Sequence, residues 1–273
     1  MIEIKEWNQQ FYLGNEFDSS RTTLFFLHGF PDNFRVWDKV YESLRDKFNI
    51  ICPSAPGTVI EKLDLAKEYR LENLSRYYRE ILLFEMKEMT PITIIAHDMA
   101  GPYAHHMLDF LPCQTKLICI NTLSGQMFMD RKFNPNQVFR SSYMSVFQMP
   151  FVNKNFVGKF WYEFRKSAAL LGQSAVMNIP DSYTENILNG FYFYKSLLKD
   201  VPKFMDGRSW ANEVHYIWST NDPFLVRPTD KEMRKRYLNW KIEFIKSGHW
   251  PMLDDPELLA SLIESIHTGV SNE

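Results

Sequence analysis

The sequence predicts an α/β fold: a mostly parallel, eight-stranded sheet flanked by helices on both faces, with a helical segment inserted before its last strands. Three observations carry this. Up to about residue 122, apolar strand-like runs alternate with amphipathic helical segments. The runs are continuously apolar, as expected of parallel strands buried on both faces. From 123 to 208 the alternation stops and the pattern is helical and aromatic, and after 209 it resumes. The expected division is a core from residues 1–122 and 209–273, with 123–208 as a helical cap.

Each element follows from local pattern. IEIKEW and QFYLGNEF alternate enough to form an opening hairpin. TTLFFL (22–27) is an apolar strand ending in the Gly-Pro turn HGFPD. Trp37–Phe48 is amphipathic, and Ile50–Cys52 is a short strand. From Leu71 to Met89, Leu74, Tyr78, Ile81 and Leu82 keep helical spacing. Ile92–Ile95 is a strand that breaks sharply into a helix, with Pro102 in the first helical turn, where its missing N–H costs nothing. KLICI (116–120), VHYIWS (214–219) and KIEFI (241–245) complete the strands. A basic helix near 228–237 and a closing helix from Pro256 complete the core.

Composition removes several function classes. Of 273 residues, 31 are basic and 33 acidic, giving a net charge of −2 with no cluster of one sign. Nucleic acid and anionic membrane surfaces are therefore not expected partners. No apolar run is long enough to span a bilayer, and MIEIKEWNQQ lacks the basic-then-apolar pattern of a signal peptide. Cys52, Cys113 and Cys119 are odd in number and lack metal-like spacing, so they read as buried thiols in a reducing, cytoplasmic setting. No metal or organic cofactor is expected, and a homodimer is compatible with the chain. Aromatic residues, 15% of the chain, concentrate between 128 and 194, which suits an apolar cavity as well as an ordinary core.

The chemistry gathers at strand ends, where parallel sheets bind ligands. Asp98 follows IIAH, Asp222 follows YIWSTN, and His249 follows IEFIKSG. Ala96, Ala100 and Gly101 around Asp98 allow a tight strand-to-helix turn. Asp98 alone would also suit a helix N-cap, and Asp222 an Asx-turn. Together the three groups point to a carboxylate nucleophile. A carboxylate attacks carbonyls poorly but displaces a leaving group from a tetrahedral carbon, forming an alkyl ester. His249, oriented by Asp222, then serves as general base toward water in the second step. No serine occupies the turn, so a serine esterase is excluded.

The order acid, acid, histidine and the tight turn resemble the α/β-hydrolase fold, whose nucleophile sits on a strained elbow. Within it, HGFPD (28–32) resembles the epoxide hydrolases, and SGHWPMLDDPE resembles the segment bearing their terminal histidine. SSYMSVFQMP (141–150) is similar to their first cap motif and matches Tyr143. NGFYFYKS (189–196) is similar to the second, matched by Tyr194 or by Tyr192. The resemblance implies that two phenols protonate an opening epoxide oxygen and that the backbone N–H groups of Phe30 and Met99 form an oxyanion hole. It further implies that Phe30, Pro31 and Trp250 contact substrate, a small apolar epoxide or related electrophile hydrolysed to a diol. Haloalkane dehalogenases commonly carry Asn and Trp where this chain has Phe30 and Met99. A dehalogenase-type reaction and a non-catalytic binding role stand as alternatives. PSAPGTVIE (53–61) and NTLSGQ (121–126) depart from the loops common in epoxide hydrolases. His28 reads as support for the oxyanion loop, His105 and His106 as surface or packing residues, and KEMRKRY (231–237) as a solvated helix face.

Overall fold

A computed structural model describes residues 4–7, 10–56, 58, 69–86, 88, 90–144, 163, 166, 184–200, 203 and 210–268. The remainder of the expected cap, most of 145–183, lies outside the described residues.

The hairpin β1 (Ile4–Trp7) and β2 (Gln10–Gly14) opens the chain, followed by β3 (Thr23–Leu27) and, after a 3-10 turn, α1 (Asp38–Leu44). Next come β4 (Asn49–Pro53), α2 (Leu71–Glu85), β5 (Ile92–His97), α3 (Gly101–Met107) and β6 (Lys116–Ile120). The intervening segment contributes α4 (Gly125–Asp130), α5 (Pro135–Arg140) and α6 (Thr184–Lys199). Then follow β7 (Trp210–Ser219), α7 (Asp230–Arg236), β8 (Tyr237–Ile245), α8 (Pro251–Asp254) and α9 (Pro256–Thr268).

The strands form one eight-stranded sheet in the order β1-β2-β4-β3-β5-β6-β7-β8, parallel from β4 to β8 and antiparallel at β1 and β2. Every residue of β3, β4 and β5 is buried, so both faces of the central sheet are covered. Helices α1 and α9 pack together, as do α2 and α3. Because β3, β5, β6, β7 and β8 run the same way, the loops after them meet at one edge, and that edge carries the site.

Local expectations hold with four corrections. α1 stops at Leu44, short of Phe48, and α2 stops at Glu85, short of Met89, because Met86 turns to ψ 98, outside the helical region. β7 and β8 are longer than the apolar runs suggested. β8 is an edge strand with much of its length exposed, so only KIEFI stands out as apolar. Cys52 and Cys119 are buried, but Cys113 is exposed in the turn before β6. Helix α7 is not wholly solvated either: Met233 and Arg236 are buried, and Arg236 pairs with Asp130 at 3.2 Å.

Candidate active site

Asp98 stands at the tip of β5 with φ 50°, a left-handed backbone that non-glycine residues rarely adopt. The elbow fits because its neighbours have no side chain to spare. A Cβ on Gly29 would lie 2.4 Å from the Asp98 Cβ, and one on Gly101 would lie 2.1 Å from the Thr122 Oγ1. The Thr122 hydroxyl donates to the Asp98 carbonyl, tying the end of β6 to the elbow. Asp98 Oδ1 accepts the Phe30 N–H at 2.9 Å, and Oδ2 faces His249 Nε2 at 3.4 Å. Burial alone would protonate this carboxyl, but His249, together with His97 and the Phe30 amide, holds its pKa below the usual value.

Asp222 performs two tasks. Its Oδ1 accepts the N–H groups of Phe224 (2.7 Å) and Leu225 (3.1 Å), the Asx-turn geometry expected of TNDPF. Its Oδ2 accepts His249 Nδ1 at 2.8 Å. Burial tends to strip His249 of its proton, but the two carboxylates outweigh it and raise its pKa.

Three positions that local pattern did not single out fix this imidazole. The His249 carbonyl accepts His97 Nε2 at 2.8 Å and Asn121 Nδ2 at 3.0 Å. Asn121, at φ 43° and fully buried, also bonds Ser219 through both ends of its amide, joining the ends of β6 and β7. Asn tolerates left-handed backbone better than most residues, and an Asn directly after an apolar strand was the available signal. Asp32, buried in the HGFPD turn, accepts Trp250 Nε1 at 3.1 Å and lies 4.0 Å from His97 Nδ1. Burial raises Asp32 to about 7 and lowers His97 to about 3. His28 braces the HGFPD turn, its Nε2 accepting the Ala55 N–H at 2.8 Å.

The tyrosines reach the site from outside the sheet. Tyr143 and Tyr194 meet edge to face with ring centroids 6.4 Å apart. Burial raises both phenol pKa values, so both hydroxyls keep their protons. Tyr194 packs on Phe30 at 5.2 Å, an approach helped by Gly190, where any Cβ would meet the Phe30 ring. Tyr192 instead meets Tyr69 and Lys195. Asp98, Tyr143 and Tyr194 border two cavities. One is walled by Met99, Pro102, Leu123, Phe128, Met144 and Leu225, with Thr122 and Ser141 as further polar groups. The other, which is smaller, is bounded by Phe30, Pro31, Phe224, His249 and Trp250. Among the described residues, no group of three or more His, Cys, Asp or Glu side chains is arranged to hold a metal. Nor is any described helix long and apolar enough to cross a membrane.

The fold and site define an α/β-hydrolase, and residues 24–262 match the model of the alpha/beta hydrolase family. The chain belongs to that family and is a hydrolase. It is similar to epoxide hydrolase 3 of Xenopus tropicalis, with 20% identity over 96% of this chain and 76% of the frog protein. The mouse protein of that name is 18% identical, over 86% of this chain and 67% of its own. Among solved structures, the Bacillus megaterium epoxide hydrolase bound to an inhibitor superimposes with TM-score 0.78. That match, at 18% identity, covers 97% of this chain and all of the other, and at such identity it establishes the fold alone.

Proposed function

We propose that the protein hydrolyses epoxides to vicinal diols through an ester on Asp98. The observation that carries this reading is a carboxylate at the elbow with its two oxygens differentiated. Oδ1 is held by the Phe30 amide, and Oδ2 lies between His249 and the paired phenols' cavities. Residues 123–208 act as a cap in this reading, delivering Tyr143 and Tyr194 over the nucleophile.

The cycle balances as follows. With both aspartates ionised, His249 carries a proton at rest, in keeping with its raised pKa. Asp98 Oδ2 attacks a ring carbon, the C–O bond breaks, and the new alkoxide takes a proton from a tyrosine. The His249 proton replaces it through the smaller cavity, which all three side chains border. Alkylation has by then neutralised Asp98, which weakens the hold on that proton and leaves His249 neutral. His249 next takes a proton from water, whose oxygen attacks the ester carbonyl. Oδ1, held by the Phe30 amide, bears the developing charge, with the Met99 amide as the second donor in this reading. Collapse of the tetrahedral species releases the diol, ionises Asp98 and returns His249 to its protonated form. The tyrosines serve ring opening and His249 serves ester cleavage.

The test combines product and intermediate. Native protein should convert terminal aryl or alkyl epoxides to diols. His249→Gln should stall with one substrate mass added to the peptide containing Asp98. Halide release from haloalkanes with no diol from any epoxide would favour the dehalogenase chemistry, and no adduct on any electrophile would favour a binding role.

A further inference from the structure

The loop Asp222–Val226 leaves β7 without secondary structure of its own, yet each backbone polar group from Phe224 to Val226 is paired. The Asp222 carboxylate accepts the N–H groups of Phe224 and Leu225. The other four partners come from the segment 131–140. Gln137 Nε2 donates to the Phe224 carbonyl at 3.0 Å, and its Oε1 accepts the Val226 N–H at 2.8 Å. Arg140 Nη1 donates to the Leu225 carbonyl at 2.9 Å and also to the carbonyl of Asp222 itself at 2.7 Å. Arg131 donates to the Val226 carbonyl and is fixed by two 3.0 Å bonds to Glu232. Three residues beyond Arg140, the Tyr143 ring lies 5.7 Å from Phe224, whose ring lies 5.1 Å from His249.

A six-residue helix such as α5 does not hold its place by its own hydrogen bonds, so these side chains set where it sits. We propose that Gln137 and Arg140 form a latch between the phenol-bearing segment and the acid loop, and act as positioning residues for Tyr143 and the Asp222–His249 pair together. The inference rests on the proposed roles of those three groups. It differs from a purely stabilising role because one bond set orients the groups of both chemical steps.

The chemistry of the latch makes a specific demand. Both Arg140 bonds leave from one nitrogen, so a single ammonium can replace it, whereas a thioether of similar length cannot. Arg140→Met should slow both ester formation and ester breakdown by on the order of 10- to 100-fold, as expected when reacting groups are misplaced by about an ångström. It should also shift and broaden the far-downfield proton resonance of the His249–Asp222 hydrogen bond. Arg140→Lys should recover both rates and resonance. Native rates and resonance in Arg140→Met, or an Arg140→Lys no better than Met, would overturn the latch. If Arg140→Met does not fold, Gln137→Glu decides the matter: it keeps the acceptor for Val226 and loses the donor to Phe224. It should perturb the same resonance, and a native resonance would refute the proposal. The resonance is read without substrate, so a protein that opens no epoxide would defeat the proposed function while leaving this result intact.

Discussion

The two halves of the site are built by different means. At the sheet edge, Asp98, Asp222 and His249 are held by backbone amides and carbonyls, by an amide side chain at φ 43°, and by glycines that permit no Cβ. In the proposed cap, Tyr143 and Tyr194 are held by ring packing and by side chains gripping a neighbouring loop. The first kind of construction fixes atoms to a fraction of an ångström, as stabilising a developing charge requires. The second keeps phenols near a cavity while side chains around it can change with substrate. In the proposed mechanism the rigid half carries the nucleophile and the ester's charge, and the adaptable half meets the opening ring.

The strongest test of that division is Asp98→Asn. Asn has the same shape and tolerates positive φ, so the elbow and its Phe30 contact can persist. The proposed nucleophile is gone, and turnover should fall by roughly 10⁴ or more, while the thermal midpoint stays near native. A variant that unfolds instead would show that the charge, rather than the geometry, organises the sheet edge. Steady-state kinetics and calorimetry on one preparation separate the two outcomes.

Removing the phenols should do less and should act on one step only. The double change Tyr143→Phe, Tyr194→Phe should slow ester formation by about 10²- to 10⁴-fold, the usual range for a lost general acid. Each single change should cost less, because the remaining hydroxyl still reaches the oxygen. Breakdown of a preformed ester should continue at the native rate. Rapid-quench measurements of both steps check this, and equal slowing of both would erase the proposed split between cap and sheet.

The same contrast explains what the sequence made legible. Asp98, Asp222 and His249 each follow an apolar strand of five residues or more, and strand ends in a parallel sheet converge by topology. Their convergence could be read before any coordinate was known. Asn121 and His97 act on His249 through its carbonyl from other strands, and no local pattern encodes a contact 128 or 152 residues away. The latch is hidden for another reason: Gln137 and Arg140 look like solvent-facing residues of a short polar helix until the loop at 222–226 is brought against them. Tyr194 and Tyr192 are two residues apart on α6 and carry the same motif match, and only their packing distinguishes their surroundings. The exposure of Cys113 and the burial of Arg236 are tertiary outcomes of the same kind.

The smallest predicted effect lies behind the site and separates fold from chemistry by pH. His249 has its pKa raised, so its contribution to stability is complete below about 6.5, the unfolded value, and fades as pH rises through about 10. His105 behaves oppositely. It is buried on α3, with Nδ1 bonded to the Gly101 carbonyl and Nε2 to the Tyr237 hydroxyl, and burial lowers its pKa to about 4. The unfolded chain then binds more protons below 6.5, and stability falls with pH toward 4. From that shift, His105 accounts for about 1.5 kcal/mol of the loss between pH 6.5 and pH 5. His105→Gln can keep one of the two bonds and has no proton to gain. Its urea midpoint should be lower than native at pH 7 and should decline less steeply on acidification, and the two curves should converge near pH 5. Its pH–rate profile should match the native one, because His105 touches neither cavity. A shift in that profile would mean that the interior behind α3 is coupled to the elbow, and the separation between rigid support and reacting groups would have to be drawn elsewhere.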